Sequence, residues 1–247
     1  MTEAAALHRP LFPPLLTGVP CPGRDDPFTV ACALAQNPDT DPGTVVYAED
    51  DRRFATALIL APDRPLRHAA AVALAVQTGL ADAIGAVAPP EVACHLEWPD
   101  RIRINGAIAG GFRMAASDTA PEAEPDWMVI AADLALTPRP GGTVDIETTT
   151  LHDEGCGAVT APALIEAFAH HMMARLHDFM TEGLRPIHAD YAARAHGRET
   201  DIAYPEPGHL TGFDEDGGLI LKTADTTRIL PLHAFILANT LHGGPGV

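Results

Sequence analysis

The chain has 247 residues and a mass of 26.0 kDa, with 47% hydrophobic and 20% charged residues, enough for one sizeable domain plus a small appendage and too apolar for wholesale disorder. Its formal net charge is -17, from 33 acidic against 16 basic residues, and no basic cluster offsets the excess. Such a surface repels phosphate backbones and anionic lipid heads, so neither nucleic acid nor a membrane is expected as a partner.

Met1 to Leu16 carries Glu3 and is broken by Pro10, Pro13 and Pro14, so it does not read as a signal peptide; the Pro-rich opening through Gly23 reads as an extended arm. Asp25 or Asp26 before Pro27 marks a helix start and predicts a helix to about Gln36. Turn residues Asn37 to Gly43 follow, then strands over Thr44 to Tyr47 and Arg53 to Ala61. Pro65 opens a long helix from Leu66 to about Ile84, stopped by Pro89 and Pro90. The most apolar stretch, Ala69 to Ala88, contains Gln77, Asp82, Gly79 and Gly85 and suits a buried helix better than a membrane span.

Cys94 to Trp98 reads as a strand broken by Pro99 and Asp100. Ile102 and Ile104 then alternate with Arg101 and Arg103, as in a half-buried strand. Asn105-Gly106 is a strong hairpin signal, because both turn positions require positive φ. Ala107 to Ala116 is the return strand. A polar loop from Ser117 to Asp126 leads to strands over Trp127 to Leu136 and Thr143 to Thr149. Thr160 caps a helix over Ala163 to Glu182, ended by Gly183, and Pro186 to Ala195 makes another. Tyr204, Pro205, Pro207 and Gly208 form a linker. Leu210 to Phe213, Leu219 to Thr223 and Thr227 to Leu232 then read as a small β appendage. The expected division is 1–203 for the main domain and 204–247 for the module.

Lys222 is the only lysine in the chain, so no mechanism that needs a lysine upstream of it is available. The four cysteines show no CxxC pairing, which fits a reducing cytoplasm. His152, Asp153, Glu154 and Cys156 lie together in a glycine-containing turn. They read as a solvated loop and not as a metal site, and no metal ligand set is assigned. His170, His171 and His177 lack the spacing of a ligand pair and read as partner or core histidines.

The run Glu97-Trp98-Pro99-Asp100-Arg101, the strand to Asn105-Gly106 and the following Gly110-Gly111 resemble a segment of the biotin/lipoate protein ligase family that reads Lys-Trp-Pro-Asn-Asp, apolar strand, Asn-Gly and glycine. Phe179 to Arg194 is similar to that family's last catalytic-domain helices. Gly212-Phe213-Asp214-Glu215-Asp216-Gly217-Gly218-Leu219 is similar to its carboxy-terminal barrel. The resemblance implies an α+β fold, with a mixed sheet flanked by helices and a small carboxy-terminal β module. It would make ATP and biotin or lipoate the ligands if ligase activity were kept.

Residue by residue, the functional pattern departs. Where the family has a Gly-Arg-Gly-Arg loop, Val45 to Phe54 runs almost directly from strand to strand without glycine, and backbone amides there cannot approach a phosphate closely. The family's cationic lysine before Trp-Pro is Glu97, which repels both a carboxylate and a nucleotide. Its Asn-Asp is Asp100-Arg101, and a later Asn is Ala135. The expectation is a divergent, non-adenylating relative that binds a small carboxylate ligand, a nucleotide or a protein partner. Its expected ligand residues are Arg52, Arg53, Glu97, Trp98, Pro99, Asp100, Arg101, Gly110 and Gly111. The alternative is an active ligase or acyltransferase in which arginines replace the lysine.

Overall fold

The computed structural model describes residues 9–21, 25–138 and 147–238. In chain order its elements are β1 (Thr17–Cys21), α1 (Pro27–Ala35), β2 (Thr44–Ala48), β3 (Arg53–Leu60), α2 (Leu66–Ala69), α3 (Val72–Val87), β4 (Cys94–Glu97), β5 (Arg101–Ile104), β6 (Ala107–Ala116) and β7 (Met128–Ala135). The helices α4 (Ala161–Glu182) and α5 (Arg185–Arg194) follow, then β8 (Asp201–Ile202), β9 (Gly208–Phe213), β10 (Leu219–Lys222), β11 (Thr227–Leu230), a short 3-10 turn (Leu232–Phe235) and β12 (Leu237–Ala238).

A large mixed sheet has the order β1-β2-β3-β7-β6-β5-β4, with β12 returning to pair with β6. The second sheet is antiparallel, in the order β11-β10-β9-β8. This is the expected α+β architecture. Local chemistry explains many of the element ends. Asp26 caps α1 by accepting from the Thr29 amide, Thr160 caps α4 through the Ala163 amide, and Asn105 (φ 49°) with Gly106 (φ 96°) closes the β5–β6 hairpin.

The large sheet is covered by α3 and α4 on one face and by α1 on part of the other. Phe54, Leu58, Ile102, Phe112, Met114 and Ile130 face the long helices, whereas Val46, Ala57, Ile59, Val129 and Ala131 form a smaller cluster with α1. At the α3–α4 crossing a Cβ on Gly79 would lie 2.9 Å from the Met172 backbone, so only glycine permits that approach. Asp82, held by Arg175 at 2.8 Å and by Arg194 at 2.7 Å, ties α3 to α4 and α5.

The structure differs from the sequence reading in several places. The opening arm contains β1, an edge strand parallel to β2. The single long helix is two, because the chain tightens at Ala70–Ala71, where the Ala71 amide bonds His68 O at 3.3 Å. Residues 143–146 of the expected Thr-rich strand lie outside the described residues, and of the remainder Thr148 forms only an isolated bridge to Ile108. His170, His171 and His177 are not core residues: His170 and His177 are exposed and His171 is half-buried. The small sheet starts at Asp201, ahead of residue 204, because β8 pairs with β9.

Together α2 and α3 span 22 residues apolar enough to cross a membrane by length and composition, yet 78% of the most apolar window is buried inside the protein. They pack as the central core helix.

Candidate functional site

Strand alternation decides what each face can do. Along β4 and β5, Leu96, Ile102 and Ile104 turn into the core, which sends Glu97, Arg101 and Arg103 to the opposite face. Ladder register then lines up Ala55, Asp133, Gly111, Arg101 and Glu97 as direct neighbours across β3, β7, β6, β5 and β4. A row of charged side chains therefore crosses the open face of the sheet.

At one end of that row Glu97 receives Arg103 through two hydrogen bonds, Nε at 2.9 Å and Nη2 at 3.1 Å, and Arg101 Nη1 lies 3.7 Å away. Arg103 also donates to Gly106 O at 2.7 Å. The Arg101 guanidinium lies flat over the Tyr204 ring, 3.4 Å from its centroid. Tyr204 in turn donates its hydroxyl proton to Asp100 Oδ1 at 2.7 Å. Burial raises the Asp100 carboxyl above the ordinary range despite that bond. Burial and the neighbouring carboxylate push the Tyr204 phenol up. Burial, followed by the positive charge of Arg103, lowers the His196 imidazole and keeps it neutral near physiological pH.

Glu97, Arg101, Arg103, His196, Asp201 and Tyr204 line a groove of about 820 Å³ between the large sheet and the start of the small one. Its volume is within the range of small-molecule sites, and its lining is more polar and charged than theirs usually is.

Of the expected ligand residues, Glu97 and Arg101 lie in this groove, and Asp100 reaches it through Tyr204. Trp98 and Pro99 do not line an open cleft. Trp98 is 3% exposed, packs edge-on against Phe235 and donates its indole N–H to Gly217 O at 2.9 Å, while Pro99 O accepts from the buried Gln77 amide at 2.7 Å. The two glycines leave no room for a ligand either. A Cβ on Gly110 would meet Asp133 O at 2.0 Å, and one on Gly111 would meet Asp100 O at 2.5 Å; both serve close backbone approach.

Arg52 and Arg53 sit at the other end of the row. The Arg52 side chain is exposed, whereas Arg53 bonds Asp133 at 3.1 Å and Asp25 O at 3.3 Å. Their turn, residues 49–52, carries Glu49, Asp50 and Asp51 and closes on itself, with Asp50 Oδ1 accepting from the Arg52 amide at 2.9 Å. Beside it lies a cavity of only about 20 Å³, room for roughly one water.

In the loop at residues 150–156, His152 bonds Val159 O at 3.0 Å, Asp153 accepts from Thr150 at 2.8 Å, and Glu154 accepts from Thr149 at 2.7 Å and Asn105 at 2.8 Å. Sequence reasoning missed Arg103, His196 and Tyr204. Period-two alternation with Arg101 was a usable signal for Arg103; His196 and Tyr204 carried none.

Comparison with known proteins agrees with this framework. Residues 12–193 match the model of the Biotin/lipoate A/B protein ligase family, and the chain belongs to that family. A Biotin--[acetyl-CoA-carboxylase] ligase of Paracoccus denitrificans is 25% identical over 190 residues, covering 72% of this chain and 77% of that protein. A biotin protein ligase-like protein of unknown function from Silicibacter sp. TM1040 superposes with a TM-score of 0.86 at 38% identity, covering 92% of this chain and 99% of that one. Biotin protein ligase from Aquifex aeolicus shares the fold at a TM-score of 0.65 and 14% identity, with 87% and 92% of the two chains covered.

Proposed function

We propose that this family member does not form an acyl-adenylate and instead binds a small carboxylate ligand in the groove beside Arg101. The observation that carries this reading is the state of Arg101. It is stacked on Tyr204 and approached by Glu97 through Nη1 at 3.7 Å, and among the described residues its guanidinium donates no hydrogen bond, so a cation able to meet a ligand lines the groove. Tyr204, Ile202 and Ala203 supply an apolar wall. Adenylation is opposed by the carboxylate at position 97, by the engagement of Arg53 and Arg103 with carboxylates, and by three acids in the β2–β3 turn. Developing negative charge on a nucleotide would meet carboxylates on both sides. The four thiols form no disulfide, which fits the cytoplasm as the working compartment.

The second reading, an active ligase or acyltransferase using ATP with biotin or lipoate and Arg52, Arg53 or Arg101 as the cation, is favoured by the kinship with the P. denitrificans ligase. One pair of experiments separates the two. ATP–pyrophosphate exchange with biotin or lipoate is expected to stay at background. Calorimetric titration with a panel of small carboxylates is expected to give binding that Arg101→Ala abolishes. Exchange above background would establish the second reading; binding unaffected by Arg101→Ala would remove the groove from the first.

A further inference from the structure

Arg101 stands between two rival partners. In the β4–β5 ladder it lies directly opposite Glu97, and directly opposed residues point to the same side of a sheet with Cβ atoms roughly 5 Å apart. Glu97 has capacity to take it. A carboxylate offers about four lone-pair sites, and Arg103 fills two of them, through Nε at 2.9 Å and Nη2 at 3.1 Å. The Glu97 side chain is only 11% exposed, so salt and water weaken an ion pair there less than at the surface. Yet Arg101 Nη1 stays 3.7 Å from Glu97 Oε2, beyond hydrogen-bond distance.

The other partner is Tyr204. Arg101 Cζ lies 3.4 Å from the centre of its ring, and its hydroxyl donates to Asp100 Oδ1 at 2.7 Å. Two consecutive residues, Asp100 and Arg101, thus engage the two ends of one tyrosine side chain. Stacking engages the face of the guanidinium and leaves the N–H donors in its plane unspent, whereas an ion pair with Glu97 would spend them. We propose that Tyr204 is the positioning residue of the groove: its ring, anchored through Asp100, holds the Arg101 guanidinium off Glu97 and keeps those donors for a ligand carboxylate. Glu97 is then a resident competitor, a carboxylate of the protein's own that takes the arginine once the ring is gone. The proposal deepens the carboxylate reading above and rests on it for the ligand alone; the hold on Arg101 is measurable without one.

The test is a double-mutant cycle on the full chain, read by the rate at which phenylglyoxal, a neutral reagent that condenses with guanidinium groups, modifies Arg101 as followed by peptide mapping. The four proteins are wild type, Glu97→Gln, Tyr204→Leu and the double variant. With Tyr204 in place, Glu97→Gln is expected to change the Arg101 rate by no more than about twofold; with Tyr204→Leu, the same change is expected to raise it by about threefold or more. Loss of the ring also alters the exposure of Arg101, but it does so in both proteins that lack the ring and cancels in their ratio. Tyr204→Phe, which keeps the ring, is expected to behave as wild type does toward Glu97→Gln. An equal effect of Glu97→Gln with and without the ring overturns the proposal. Tyr204→Met repeats the cycle if Tyr204→Leu does not fold. Calorimetric titration of the same proteins with hexanoate is scored separately: binding that Tyr204→Leu weakens and the double variant regains supports both readings, whereas a positive cycle without any Arg101-dependent hexanoate binding supports the positioning role and counts against the carboxylate ligand.

Discussion

On the helix-covered face of the large sheet, Phe54, Leu58, Ile102, Phe112 and Met114 are each 4% exposed or less. On the opposite face the same strands present Arg53, Asp133, Arg101, Arg103 and Glu97 in a row of ion pairs. The residues that carry the family resemblance belong to the packed regions and the backbone contacts: Trp98 and Pro99 are buried at the junction of the two sheets, Gly110 and Gly111 admit neighbouring strands, and Gly217 receives the Trp98 indole. The departures, Glu97 and the acidic β2–β3 turn, lie on the open side. Likeness in this chain therefore lies where it folds, and the unlike residues lie on the face that carries the groove.

That contrast predicts unequal costs, the largest at the junction. The small sheet has its apolar side, Leu210, Phe213, Leu219 and Leu221, in the same core cluster as Trp98, so residues 200–238 excised alone are expected to show no cooperative melting transition. Trp98→Ala empties the junction and leaves Gly217 O without its donor; a loss of about 3–5 kcal/mol in urea unfolding is expected. Gly110→Ala drives a methyl into Asp133 O and is expected to cost about 1–3 kcal/mol by the same measurement. Across the sheet Glu97→Gln should cost less, about 1–2 kcal/mol, because one oxygen still accepts from Arg103. If Glu97→Gln proved as costly as Trp98→Ala, the open face would be a structural element and not a site.

What could be read in the sequence follows the range of the interactions. The Asn105-Gly106 hairpin and the Asp26 and Thr160 caps are fixed by neighbours a few residues apart, and all are in the structure. Trp98 was expected at a ligand and is a core residue, because its fate depends on Gly217, 119 residues away. The break at Ala70–Ala71 has no compositional mark, since alanine favours helix on both sides. β1 was hidden because Gly18 and Pro20 weaken a strand pattern that its parallel partner β2 nonetheless stabilises. Half of the groove was visible in the alternation of Glu97, Arg101 and Arg103. The other half comes from His196 and Tyr204, brought there by the turn into the small sheet.

The smallest expected effect tests the assignment of Arg101 itself. Asp100 accepts the Tyr204 hydroxyl proton, and burial raises its carboxyl above the ordinary value even with Tyr204 and Arg101 acting in the other direction. A carboxyl whose folded value is raised contributes stability that is complete below the unfolded value, about 3.9, and is lost as pH rises through the folded one. Wild type should therefore carry a small penalty from ionised Asp100 near neutrality. Asp100→Asn keeps an oxygen for Tyr204 and has no charge to desolvate, so it is expected to be more stable than wild type near neutral pH, with the difference shrinking as the medium is acidified. Urea unfolding of both proteins across the mildly acidic range measures this. The opposite sign, a variant less stable at neutrality, would mean that ionised Asp100 is held by Arg101. The guanidinium would then already be satisfied within the protein, and the groove would lose the cation proposed to meet a ligand.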